Sequence, residues 1–193
     1  MIRITLEDFK KMCSNAVGEI DKVYCHWTGV GYGKVEFPSY HLVIDKNGEL
    51  YVPDYDLTIK RSHTWLRNSR AIGISLACCG KDSRDENYLG AEPPTEAQLN
   101  MLAQCVAVAC INIGIPLDLQ HVMTHAEAAD NKDGADIYYP DYTGYPNNTH
   151  GPDSTVERWD LLVLRNGEKR WSGGDQIRGN ARFYAHDWGC TYI

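Results

Sequence analysis

The stretch AIGISLACC, residues 71–79, is an almost unbroken apolar run rich in β-branched and small side chains. A strand with one wet face alternates apolar and polar residues. A run without alternation fits a strand covered on both sides, which is the situation of a central strand in a parallel or mixed sheet. That one feature demands material on each face of the sheet. The segments around it alternate between helical and strand periodicity, so the expected fold is α/β: a central mixed sheet flanked by helices.

The flanking segments can be placed. TLEDFKKMCSNAVG reads as an opening helix capped by Thr5, with Leu6, Phe9, Met12 and Val17 along its apolar side. KVYCHW follows as a strand whose alternation sends Val23, Cys25 and Trp27 one way and Tyr24, His26 and Thr28 the other. YHLVIDKNGELYVP is a hairpin turning at Asn47-Gly48. PPTEAQLNMLAQCVAVACINIGIP carries the clearest helix, with a Thr95/Gln98 capping box and a Gly114 stop. HVMTH is a short strand ending at His125, residues 130–152 form a long irregular loop, and STVERWDLLVL reads as a last helix or a helix–strand junction. The expected organisation is one domain over 1–193, with a core at about 20–165 and an aromatic tail, 166–193, packed back on it.

Bulk properties narrow the function. A formal charge of −7 argues against tracking nucleic-acid phosphates and against a polybasic membrane anchor. No run looks long enough for a membrane span, and the charged start, MIRITLEDFKKMC, lacks the apolar stretch of a signal peptide. The expectation is synthesis in the cytoplasm, with any export by a route the sequence does not encode. Seven cysteines without a CxxC pair read as reduced core thiols rather than a disulfide framework.

His26 and His125 each end an expected strand and precede an irregular segment, where ligands and catalysts sit on sheet scaffolds. Their surroundings resemble the zinc-dependent N-acetylmuramoyl-L-alanine amidases, whose fold is shared with peptidoglycan recognition proteins and the amidase lysozymes of phages. HWTG is similar to the first histidine motif of that family, YHLVIDKNGELY to its tyrosine–histidine strand and hairpin, and SHTWLRNSRAIGISLACC to its groove loop and central strand. PTEAQLNMLAQC is similar to its long helix and THAEAA to its second histidine motif. The motifs keep their order over roughly residues 20–165.

The resemblance implies a Zn²⁺ held by His26, His125 and a downstream acid, for which Asp153 in HGPDSTVERWDL is the match, with a fourth position left for water. It implies that Tyr40 faces the metal and assists the reaction; His150, next to Gly151 in this chain, is the neighbour able to supply a proton or a hydrogen bond instead of the family's helper. Many relatives carry Lys or Thr two residues before the third ligand, where this chain has Gly151; a glutamate used in other branches corresponds to Ser75. His63, Trp65 and Asn68 are placed in the substrate groove, His63 with a plain surface role as its alternative, whereas His41 is structural. Tyr138, Tyr139, Tyr142 and Tyr145 either stack on sugars or pack the loop. The implied activity is cleavage of the amide between N-acetylmuramic acid and L-alanine in peptidoglycan. An endolysin or secreted effector would use it, with a holin, secretion machinery or an immunity protein as partner. A non-catalytic peptidoglycan-binding protein of the same fold is the alternative.

Overall fold

In the computed structural model, which describes residues 1–138, 149–155, 157–191 and 193, the chain builds one six-stranded mixed sheet. The elements run β1 (Ile2–Ile4), α1 (Leu6–Asn15), β2 (Lys22–Trp27), β3 (Leu42–Ile44), β4 (Leu50–Val52) and β5 (Ala71–Leu76). Then follow α2 (Glu96–Ala109), a π-turn (Cys110–Gly114), β6 (Val122–Thr124), α3 (His125–Ala129) and α4 (Ser172–Asp187). The strand order is β1-β4-β3-β5-β2-β6. Strands β3, β5, β2 and β6 are mutually parallel, and β4 and β1 add an antiparallel margin. All six residues of β5 are buried, as its unbroken apolar run requires.

The two faces are covered differently. Val23, Cys25 and Trp27 of β2 join Ile72, Ile74 and Leu76 of β5 in the main core, with Phe9 and Met12 of α1, Leu102 and Val106 of α2, and Ile177 of α4. The long helices therefore gather on one side. Tyr24 points the other way, into a small cluster with Ala71, Met123 and Ala128. Because that second face is closed by loops rather than a long helix, it has room for a groove. The seven cysteines are buried free thiols.

Two segments depart from the sequence expectation. Among the described residues of 154–164 none is in a helix or strand; Leu161–Leu164 are buried in an irregular segment. Most of residues 166–193 is the 16-residue α4, and Tyr184, Cys190 and Ile193 lie against the core. That helix begins after Trp171, which has φ 72° and gives no side-chain cap, so its start lacks the usual signature. With the π-turn, α2 forms a 19-residue stretch whose most apolar 18 residues have a mean hydropathy of 1.4, long and apolar enough for a membrane span by length and composition, contrary to the sequence expectation. It packs as a core helix against the sheet, α1 and α4.

Gln98 ties that helix to the sheet. The capping box at Thr95 forms as expected. The fully buried Gln98 amide also donates to the carbonyls of Ile44 and Ala77, 3.1 Å each, at the ends of β3 and β5. Gln98→Leu leaves both carbonyls and the Thr95 N–H without this partner and should destabilise the protein by about 2–4 kcal/mol. Urea unfolding measures it; an unchanged midpoint would show that the amide is dispensable.

Candidate metal centre

Strand β2 delivers His26 to the loop-covered face at the C-terminal end of the parallel strands, in register with Ser75 on β5. Strand β6 ends one residue before His125, which opens α3 under a capping box formed by Thr124 and Glu127. β6 pairs with β2 in parallel, and the two rings come together with centroids 4.6 Å apart.

The third member of the group is Asp160. Its Oδ2 lies 3.2 Å from His26 Nδ1 and 3.0 Å from His125 Nδ1. One ligating atom from each of the three residues lies within 4.8 Å of the others. Bonds of 2.0–2.1 Å to a tetrahedral zinc would put neighbouring donor atoms about 3.3 Å apart, so the set has the right size for such an ion. Its protonation fits as well. Burial, helped by the neighbouring His125, pulls His26 down to about 4, which leaves its imidazole neutral. Burial alone would raise Asp160, but the two histidines outweigh it and hold the carboxyl below its usual range, ionised. Neutral imidazoles and a carboxylate are the forms that bind a metal.

Asp153 is not brought to the histidines. Its carboxylate pairs with Lys132 at 2.7 Å and Arg170 at 3.5 Å, while its N–H donates to Asp130. Two cations satisfy it at the surface, whereas Asp160 is placed by a buried segment; it is Asp160, not Asp153, that joins the two histidines. Gly151 owes its identity to packing: a Cβ there would stand 2.0 Å from the Asp130 carboxylate. Counted from Asp160, the position two residues earlier is Arg158, which lines the cleft. His150 is set behind it, its Nδ1 accepting from Arg158 at 2.9 Å. Arg158-Trp159-Asp160 is a cation two residues before an acid, the signal by which the sequence marks Asp160.

The cleft at this centre has a volume of about 740 Å³, and Tyr40, His63, Trp65 and Asn68 line it together with His125 and Asp160. Tyr40 stands over His26, ring centroids 5.1 Å apart; burial, with the Asp160 charge, raises its phenol, so it stays a proton donor. His63 is half-buried rather than a surface residue, and its ring lies so close to β5 that a Cβ on Gly73 would come within 2.7 Å of it. Thr64 links the rings, its hydroxyl 2.9 Å from His63 Nδ1 and 3.3 Å from His26 Nε2. Asn68 shapes the loop by accepting from the N–H groups of His63 and Thr64. Arg67 pins the loop to Asp133 and Asn131. Trp65 is 46 % exposed at the rim. His41 is structural: its Nε2 is 2.9 Å from the Ile59 carbonyl and its Nδ1 accepts from Gly73 N–H. Tyr138 is exposed, and Tyr139, Tyr142 and Tyr145 lie outside the described residues.

Among solved structures, the chain is similar to the endolysin amidase LysCS from Clostridium intestinale, at 20% identity over 57% of this chain and 71% of that one, TM-score 0.41. It is similar to Drosophila PGRP-LB at 19% identity over 58% and 73%, TM-score 0.42. Drosophila PGRP-SD matches at 14% identity over 68% and 84%, TM-score 0.43. No curated protein sequence matches. The family model for N-acetylmuramoyl-L-alanine amidases matches residues 14–136, more than half of the chain and including both histidines, and the chain belongs to that family.

Proposed function

We propose that the protein is a zinc-dependent N-acetylmuramoyl-L-alanine amidase that cleaves the lactyl-amide bond of peptidoglycan and serves as a wall-lytic enzyme, an endolysin or a delivered effector. The observation that carries this reading is the His26–His125–Asp160 donor set at the floor of an open cleft in a member of this family. These three residues would hold Zn²⁺. When bound there, the ion supplies a nucleophilic water near neutral pH and polarises the amide carbonyl.

The surrounding residues have separable tasks. Tyr40, protonated and beside His26, donates a hydrogen bond to the oxygen that becomes negative as the amide carbon turns tetrahedral. Arg158 contributes positive charge at the same cleft; its position on the chain matches the Lys or Thr of relatives once Asp160 is the third donor. The leaving L-alanine amine takes up the proton that the attacking water gives up, so the reaction draws no net proton from the protein and Tyr40 keeps its own. Trp65 offers an exposed ring for a sugar or peptide to lie against. A holin, a secretion machine or an immunity protein would be the partner of such a role.

Two measurements test the reading. Purified protein should carry about one Zn²⁺, lost in His26→Ala, His125→Ala and Asp160→Ala together with release of soluble peptide from purified sacculi, while Asp153→Ala stays loaded. Metal lost from Asp153→Ala and kept in Asp160→Ala would return the third position to Asp153. A protein that binds sacculi without hydrolysing them would be the non-catalytic alternative.

Tyr40→Phe and Arg158→Met should each lower kcat by about 10²-fold, with zinc content unchanged and KM moved much less. Wild-type turnover in either variant removes that residue from the reaction.

A further inference from the structure

The two histidines are oriented by different devices. His26 has a strand beneath it and the Thr64 hydroxyl at its Nε2. His125 has only one turn of helix, and its neighbours lead away from the cleft. Glu127 Oε2 accepts from the N–H of Thr124, the residue before the ligand, and Glu127 N–H donates back to Thr124 Oγ1. The Glu127 carboxylate then meets Arg178 of α4 through both of its oxygens, at 2.9 and 2.8 Å. Arg178 Nη1 also donates to the carbonyl of Val122 at 2.9 Å, on the strand that leads into His125. Both side chains are less than a tenth exposed.

The same helix touches the segment that carries Asp160. Gly173 N–H donates to the Leu162 carbonyl, and a Cβ on Gly173 would stand 1.9 Å from the Leu161 carbonyl oxygen. A Cβ on Gly174 would stand 2.2 Å from Glu127 Oε1. The start of α4 is thus fitted between the His125 turn and the Asp160 segment, which are also joined by a bond from Ala126 N–H to the Asp160 carbonyl. A buried bidentate ion pair held in a fixed fork geometry sets direction as well as charge.

We infer that Arg178, through Glu127, is a positioning residue for the metal centre: α4 sets where His125 and Asp160 stand relative to His26. The inference rests on the zinc reading of that centre. Arg178 touches no reacting atom, so its removal should act on the metal and on turnover while leaving the cleft's hold on substrate.

The test is zinc affinity, measured by chelator competition on the full chain, with the visible spectrum of the Co²⁺-loaded protein reporting donor geometry. The paired variant Glu127→Gln/Arg178→Gln leaves no lone buried charge. Gly174→Ala moves the Glu127 carboxylate while keeping both charged side chains. Each should weaken zinc binding about 10–100-fold, the range typical of residues that orient metal ligands, and shift the Co²⁺ bands, with circular dichroism of the wild-type form. Arg178→Lys should recover part of the affinity, and KM should change less than kcat. Wild-type zinc affinity and Co²⁺ spectrum in both the paired variant and Gly174→Ala would overturn the inference while leaving the zinc centre intact. Failure of the wild-type chain itself to bind zinc would overturn the metal reading and the inference with it.

Discussion

Asp160 bears a charge in a place where charge is expensive, and much of the structure can be understood as the means of keeping it there. A buried carboxylate without partners takes up a proton or draws in water. Here two imidazoles face the same oxygen, from β2 and from the end of β6. Those strands are adjacent in the sheet, so parallel pairing itself brings the rings together. The third group arrives by a different route. It lies 134 residues from His26 along the chain, in a segment with no regular secondary structure, so nothing local specifies its position. Packing must do so: Trp159 meets Trp27 edge to face at 4.7 Å, Leu161 and Leu162 are buried, and α4 closes over them.

The asymmetry of the sheet follows from the same need. With α1, α2 and α4 on one face, the hydrophobic core has a continuous apolar boundary, and the opposite face is left to loops. Loops can present polar side chains at a cleft in a way that a long buried helix face cannot. The groove loop is nonetheless firmly built. Asn68 folds it, Arg67 fastens it to the turn after α3, and Thr64 carries its order to His26. Rim residues such as Trp65 stay exposed above that base.

The sheet, the α2 capping box and the two histidines were legible because each has a local signature. Periodicity marks the strands, a Thr-x-x-Gln pattern marks the helix start, and both histidines end strands inside recognisable motifs. The acid that joins the two histidines was not legible by the same means. Asp153 and Asp160 lie seven residues apart in one polar stretch, and only tertiary packing separates an acid held by Lys132 and Arg170 from one buried against two rings. Helix α4 escaped because glycines stand at 173, 174 and 179 and its first turn has no side-chain cap, features that lower helix propensity. Two of those glycines serve close packing, which a propensity argument cannot see.

The contact between α4 and the centre also bears on when the centre exists. A chain emerging from the ribosome presents His26 first and His125 later, and Asp160 and Arg178 follow His125 by 35 and 53 residues. Local helices and hairpins form before such long-range contacts, because loop closure must precede any gain from them. Nascent or partly folded forms therefore hold two imidazoles without the carboxylate that completes the set. Assembly of the three-residue cluster and docking of α4 are therefore one event.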